Sequence, residues 1–193
     1  MGKTIHPSVI GIGSQSGEID AVLQALAERL QIGIRRARRE FKLSFFTYNV
    51  EYLPATASVF TSGSFIVQND SAFVLTRSSY IAVLASDNKT PVNVVTVPAP
   101  ATTLLTLGVC SPFLVNIVDS GSGRQFSNID THIDNWYGNA NLPYYWPNPQ
   151  IFAPNSNVTI RLQNLDTINY NVRLAHHGYK VFGDLEAYRE LRG

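Results

Sequence analysis

Charge is what this chain has least of. Asp, Glu, Lys and Arg make up 15% of its 193 residues and leave a formal net charge of +1, against about a quarter charged in an ordinary globular domain. Near-neutrality excludes strong long-range attraction of the whole chain to nucleic acid. Cysteine is scarcer still. Cys110 stands alone, which excludes an internal disulfide framework and a thiolate metal cluster, and fits synthesis in a reducing compartment. Long apolar runs are missing as well. No stretch reaches the roughly 18 residues that a membrane-spanning helix needs, and the first ten residues hold no signal-peptide core. Neither membrane insertion nor export by that route is expected.

Apolar and aromatic residues are plentiful, at 45% and 11%. That is enough for a real core and too much for a disordered chain. The length fits one domain with an appendage, or two small domains. The few charges are unevenly placed: residues 1–42 hold seven Lys/Arg and four Asp/Glu, the remainder eight and ten. Any contact with nucleic acid is therefore expected only in the N-terminal segment.

Three regions follow from patterning: an arm and amphipathic helix over 1–41, a β domain over 42–183 and a tail over 184–193. The arm, residues 1–17, is rich in Gly and Ser and has no period. From Glu18 the apolar residues Ile19, Val22, Leu23, Leu26 and Leu30 recur at steps of three and four, continuing through Ile34, Ala37 and Phe41. This is one stripe of a helix, with Ser16 as its expected N-cap and Gly33 as a bend or stop. After Lys42 the residues are those of strands. Strands are expected at Leu43–Leu53, Ala57–Gln68, Ser71–Leu84, Val92–Val97, Phe113–Asp119, Asn157–Asn164 and Tyr170–Phe182, with breaks at Pro54, Gly63, Asn69-Asp70 and Asp87-Asn88. Residues 128–154 read as a long loop. Many short strands without alternating helices predict an antiparallel β-sandwich of jelly-roll type.

No catalytic, cofactor or metal site is expected. The run Asp119–Gln125 (DSGSGRQ) is glycine-rich, yet it lacks the following helix and the lysine that a phosphate cradle requires. It reads as a wide turn at a strand end, in which Asp119 and Arg124 pair across the loop or Arg124 reaches a neighbouring subunit. His176 and His177 are adjacent in a strand, so they point to opposite faces and cannot chelate one ion together. No nucleophile elbow or paired-carboxylate spacing is present. The basic run IRRARRE places Arg35, Arg36, Arg38 and Arg39 after the helix, as a solvated face, a dock for an acidic protein surface or a grip on nucleic-acid phosphates. In LPYYWPNP, Tyr144, Tyr145 and Trp146 cap the sandwich, anchor an intersubunit contact or form a sugar platform.

Four ordered pieces carry a resemblance: VDSGSGRQ ending at Gln125, PQIFAPNS over Pro149–Ser156, VTIRLQN over Val158–Asn164 and YNVRLAHHGYK over Tyr170–Lys180. The set resembles a group of tailed-bacteriophage virion proteins across the β domain, from about Lys42 to Phe182. The resemblance implies a non-enzymatic virion component, assembled in the bacterial host cytoplasm. It would attach to the head or to the portal and neck region, with copies of itself and major capsid, portal or neck proteins as partners. Residues 1–42 are then expected to anchor the chain to a neighbouring subunit. A receptor- or glycan-binding module of a tail or fibre is the alternative.

Overall fold

The computed structural model describes residues 15–30, 33–56, 58–86 and 111–183. The expected strand at Val92–Val97, Cys110 and the tail 184–193 lie outside them. Two helices, α1 (Gln15–Arg29) and α2 (Ile34–Glu40), precede nine strands: β1 (Lys42–Ala55), β2 (Phe60–Ile66), β3 (Ala72–Leu84), β4 (Phe113–Asp119), β5 (Arg124–Gln125), β6 (Thr131–His132), β7 (Tyr144–Phe152), β8 (Asn157–Asn164) and β9 (Tyr170–Phe182). Sheet A has the order β1-β9-β3-β7; sheet B has the order β2-β8-β4-β5, with β6 also on β4. The named strand pairs are all antiparallel. Apart from β4 to β6, each connection passes from one sheet to the other, which is the jelly-roll wrap of a two-sheet sandwich.

Alternation builds the core between the sheets. Val158, Ile160 and Leu162 of β8 and Val172 and Leu174 of β9 face inward, as their period-two spacing predicts. Thr76 interrupts the period in β3. The register shifts between Leu75 and Arg77, so Phe73 and Leu75 face the core before the bulge and Tyr80 and Ala82 after it. A second core lies on the other side of sheet A. There Val22, Leu23 and Leu26 of α1 and Leu30 just after it pack with Ala37 and Phe41 on Ala72, Val74, Tyr179 and Val181. The helical segment is thus a third layer over the sandwich.

Several expectations need correction. Residues 128–154 are not one long loop. They hold β6, a 3-10 turn (Ile133–Asn135) and the nine-residue strand β7. Pro147 and Pro149 concealed β7, and they are tolerated because β7 is an edge strand whose ladder swells between Tyr145 and Gln150. Gly63 does not break a strand. It lies inside β2, where a Cβ would come within 2.4 Å of Val50 Cγ1 and 3.2 Å of the Tyr52 ring. Nor does Pro54 end β1, which continues to Ala55 past an irregularity after Tyr52. Ser16 falls within α1 rather than capping it. Gly33 separates two helices in an extended conformation (φ −71, ψ 142); the break resets the helical phase, so Ile34 is exposed while Ala37 and Phe41 stay buried.

Candidate functional site

The β4–β5 turn forms a cleft with α1. Asp119 ends β4 with its side chain only 2% exposed. Its Oδ1 accepts the Gly121 N–H at 3.0 Å and its Oδ2 accepts the Ser122 hydroxyl at 2.6 Å. The carboxylate therefore shapes its own turn, as Asp does in Asx turns. It makes no ion pair with Arg124 among the described residues, which corrects the expected cross-loop pair. Arg124 turns the other way, donating to Gln150 Oε1 at 3.2 Å and lying over the Phe126 ring at 5.1 Å.

The first two motif pieces converge at this turn. The Ser120 backbone N–H donates to the Asn157 carbonyl at 2.9 Å. A Cβ on Gly121 would stand 2.2 Å from Ser156 Oγ. Beside them opens a cleft of about 740 Å³, bounded by Gln24 and Glu28 of α1, Ser122 and Arg124 of the turn, and Asn148 and Gln150 of β7. These hydrogen-bonding and charged groups share the lining with Ala21, Ala25, Pro147, Pro149, Ile151 and Ala153, so the cleft is mixed in character.

The other two pieces are explained by the fold. Asn164 pins the β8–β9 connection, its Nδ2 donating to the Ala55 and Ile168 carbonyls at 3.1 and 2.7 Å. Tyr170 donates to Asp166 at 2.5 Å; that bond, before all else, lowers the Asp166 pKa. Gly178 lies where a Cβ would be 2.0 Å from the Val74 carbonyl oxygen. Lys180 bonds Gln68 and caps the Phe46 ring at 4.1 Å.

The aromatic run does not form one surface. Tyr144 and Trp146 point inward, where Trp146 meets Phe126, Trp136 and Tyr144 and its indole N–H donates to Ser78 Oγ at 3.2 Å. Tyr145 points outward beside Arg77 and is 40% exposed. On α2, Arg35, Arg36 and Arg38 are exposed, and Arg38 pairs with Asp20 at 2.6 Å; the side chain of Arg39 lies outside the described residues.

The two histidines do face opposite ways. His176 is buried between the sheets. Its Nδ1 lies 3.3 Å from the Tyr48 carbonyl, which can only accept, so Nε2 receives the Tyr137 hydroxyl at 2.7 Å. Burial lowers its pKa from 6.5 to about 4 and raises that of Tyr137 well above the ordinary tyrosine value. His177 stands on the outer face of sheet A, 3.0 Å from Thr47 Oγ1 and 3.0 Å from Ser79 Oγ. Burial, then the Arg77 charge, lowers its pKa, so it is a neutral imidazole with both nitrogens engaged. Sequence spacing could not reveal this Thr-His-Ser cluster, because its members come from three strands.

Sequence reading also missed the outer face of sheet B. On β2 it presents Phe60, Ser62, Ser64 and Ile66, on β8 Thr159, Arg161 and Gln163, and on β4 Leu114, Asn116 and Val118. Its one Asp, Glu, Lys or Arg among the described residues is Arg161, laid over the Phe60 ring at 4.5 Å. The alternation of Phe60-Ser62-Ser64-Ile66 was the available signal.

No helix among the described residues is long and apolar enough to cross a membrane, and no group of three or more His, Cys, Asp or Glu among them is placed to hold a metal ion. No family model, curated protein or solved structure matches the chain.

Proposed function

We propose that this chain is a non-enzymatic structural subunit of a tailed-phage virion. It assembles with copies of itself on the head or at the portal and neck region, beside major capsid, portal or neck proteins. The observation that carries this reading is the outer face of sheet B. Phe60 and Ile66 are exposed on an edge strand among serines, with a single arginine stacked flat upon the face. Soluble sheets guard such faces and edges with charge. A low-charge face of uncharged polar residues that exposes Phe60 and Ile66 at its edge serves as a contact between subunits. The jelly-roll order and the four motif pieces support the same reading.

The helical layer supports attachment through the N-terminal segment. Arg35, Arg36 and Arg38 of α2 are exposed, Arg38 in a pair with Asp20, and this basic run suits an acidic protein surface; nucleic acid is left to this run alone. The alternative, a glycan-binding module, gains no platform from Tyr144, Tyr145 and Trp146, since they alternate between faces.

Density-gradient purification of particles made with tagged protein tests the proposal. Wild-type protein is expected to band with the particles. Ile66→Asp, which keeps the inner face of β2 intact, is expected to fold yet stay at the top of the gradient. Wild-type protein that never bands with particles would end this reading.

A further inference from the structure

Two sheets have four edges, and an edge strand presents unpaired backbone groups that invite pairing with another chain. Among the described residues, three of these edges are guarded. β1 bears Lys42 and Glu51 and becomes irregular after Tyr52. β7 is interrupted by Pro147 and Pro149, and its ladder on β3 swells. β5 and β6, which share the third edge, are two residues long each. β2 has none of these devices. Its seven residues, FTSGSFI, hold no charge and no proline, and they run against β8 without a shift of register. Among the described strands, β2 pairs with β8 alone.

The β2 sequence is also complementary to itself. Side chains directly opposite in an antiparallel pair share a face. If the outer faces of two B sheets are continuous, the two-fold axis between them must therefore pass through a residue. The one such axis that pairs all seven residues of β2 passes through Gly63. It sets Phe60 against Ile66 of the second copy and Ser62 against Ser64 on the outer face, and Thr61 against Phe65 on the inner face. Phe60 and Ile66, 44% and 62% exposed in the single chain, then cover one another, and serine meets serine. Charge does not oppose the contact. Arg161 lies on β8 beside Ser62, so its two copies stand three strand spacings apart, about 14 Å. That exceeds the screening length of about 10 Å in 0.1 M salt.

We propose that β2 pairs antiparallel with β2 of a second copy about a two-fold axis through Gly63, joining two B sheets into one. The inference rests on the reading of sheet B as a contact between copies, and it adds the strand, the register and the symmetry. The contact is isologous, so it closes on two chains. One strand pair with two apolar contacts belongs to the small, reversible class of interfaces, below about 1,200 Å². Covalent trapping suits a contact of that size.

Disulfide trapping in the full chain tests it. One preparation carries Cys110→Ser and Ser62→Cys, another Cys110→Ser and Ser64→Cys. In the proposed register position 62 lies directly opposite position 64 of the other chain, within disulfide reach. Position 62 with 62, or 64 with 64, is a diagonal pair about 7–8 Å apart. After mild oxidation the mixture is expected to give several-fold more linked dimer than either preparation alone. The link should weaken several-fold when Ile66→Asp is added to both chains. No linked dimer in the mixture, equal linking in all three samples, or a link undiminished by Ile66→Asp would each overturn the proposal. Linked chains whose wild-type parent never bands with particles would keep the pairing and end the virion reading. Banding without linked chains would do the reverse.

Discussion

Acidification from pH 7 to 4 should remove about 3 kcal/mol of stability through His176 alone. The imidazole is buried between the sheets, with Tyr137 and Tyr48 on its two nitrogens, and burial brings its pKa from 6.5 down to about 4. Above pH 6.5 neither the folded nor the unfolded chain protonates this residue, and its neutral, bonded state stabilises the fold in full. As the pH falls, the unfolded chain takes up a proton first, and stability drops until the folded pKa is reached. Two and a half units at about 1.36 kcal/mol per unit give the quoted figure. Urea unfolding followed by circular dichroism between pH 7 and 4 measures it. His176→Phe keeps the ring and removes the titration. At pH 7 it should cost about 1–3 kcal/mol, because the Tyr137 hydroxyl loses its acceptor. Its pH slope should be smaller by about one proton. His177 adds a slope of the same sign in both proteins, and Asp166, lowered by Tyr170, acts only at lower pH. An undiminished slope in His176→Phe would refute the burial argument.

Three further outcomes follow from the cleft and the core. Gly121→Ala should destabilise by about 1–3 kcal/mol, since its Cβ collides with Ser156; Ser156→Gly in the same chain should recover most of the loss in a double-mutant cycle. Asp119→Ala should cost about 1–3 kcal/mol by orphaning the turn donors, whereas exposed Arg124→Ala should stay within about 0.5 kcal/mol. Chemical denaturation ranks the two, and equal losses would restore the cross-loop pair. Trp146→Ala should cost about 2–4 kcal/mol, at the lower end for a half-buried ring that loses three aromatic neighbours, read as a shift in the denaturation midpoint.

Where one face of a strand meets the core, its sequence was sufficient. Phe113–Asp119, Asn157–Asn164 and Tyr170–Phe182 have the expected bounds because apolar residues alternate cleanly or run unbroken between polar turns. Prolines misled at β7, since an edge strand tolerates missing donors that a central strand does not. Glycine misled at β2, where the cause is crowding by Val50 and Tyr52, two side chains of another strand. The DSGSGRQ turn was legible as a turn, but not the direction of its side chains. Asp119 finds donors two and three residues away, and Arg124 finds Gln150, which only folding brings near. The exposed apolar side chains on the outer sheet faces were hidden for a related reason. Whether an exposed Phe45 or Ile66 is isolated or part of a surface depends on strand order, which no local pattern encodes.

Sedimentation velocity of the purified full chain over a range of concentrations, beside Ile66→Asp, tests most directly whether this protein assembles through the low-charge outer face of sheet B. The account predicts reversible growth beyond the 21.3 kDa monomer for the wild type and a well-folded monomer for the variant. A wild-type chain that stays monomeric throughout, or a variant that associates equally well, would contradict it.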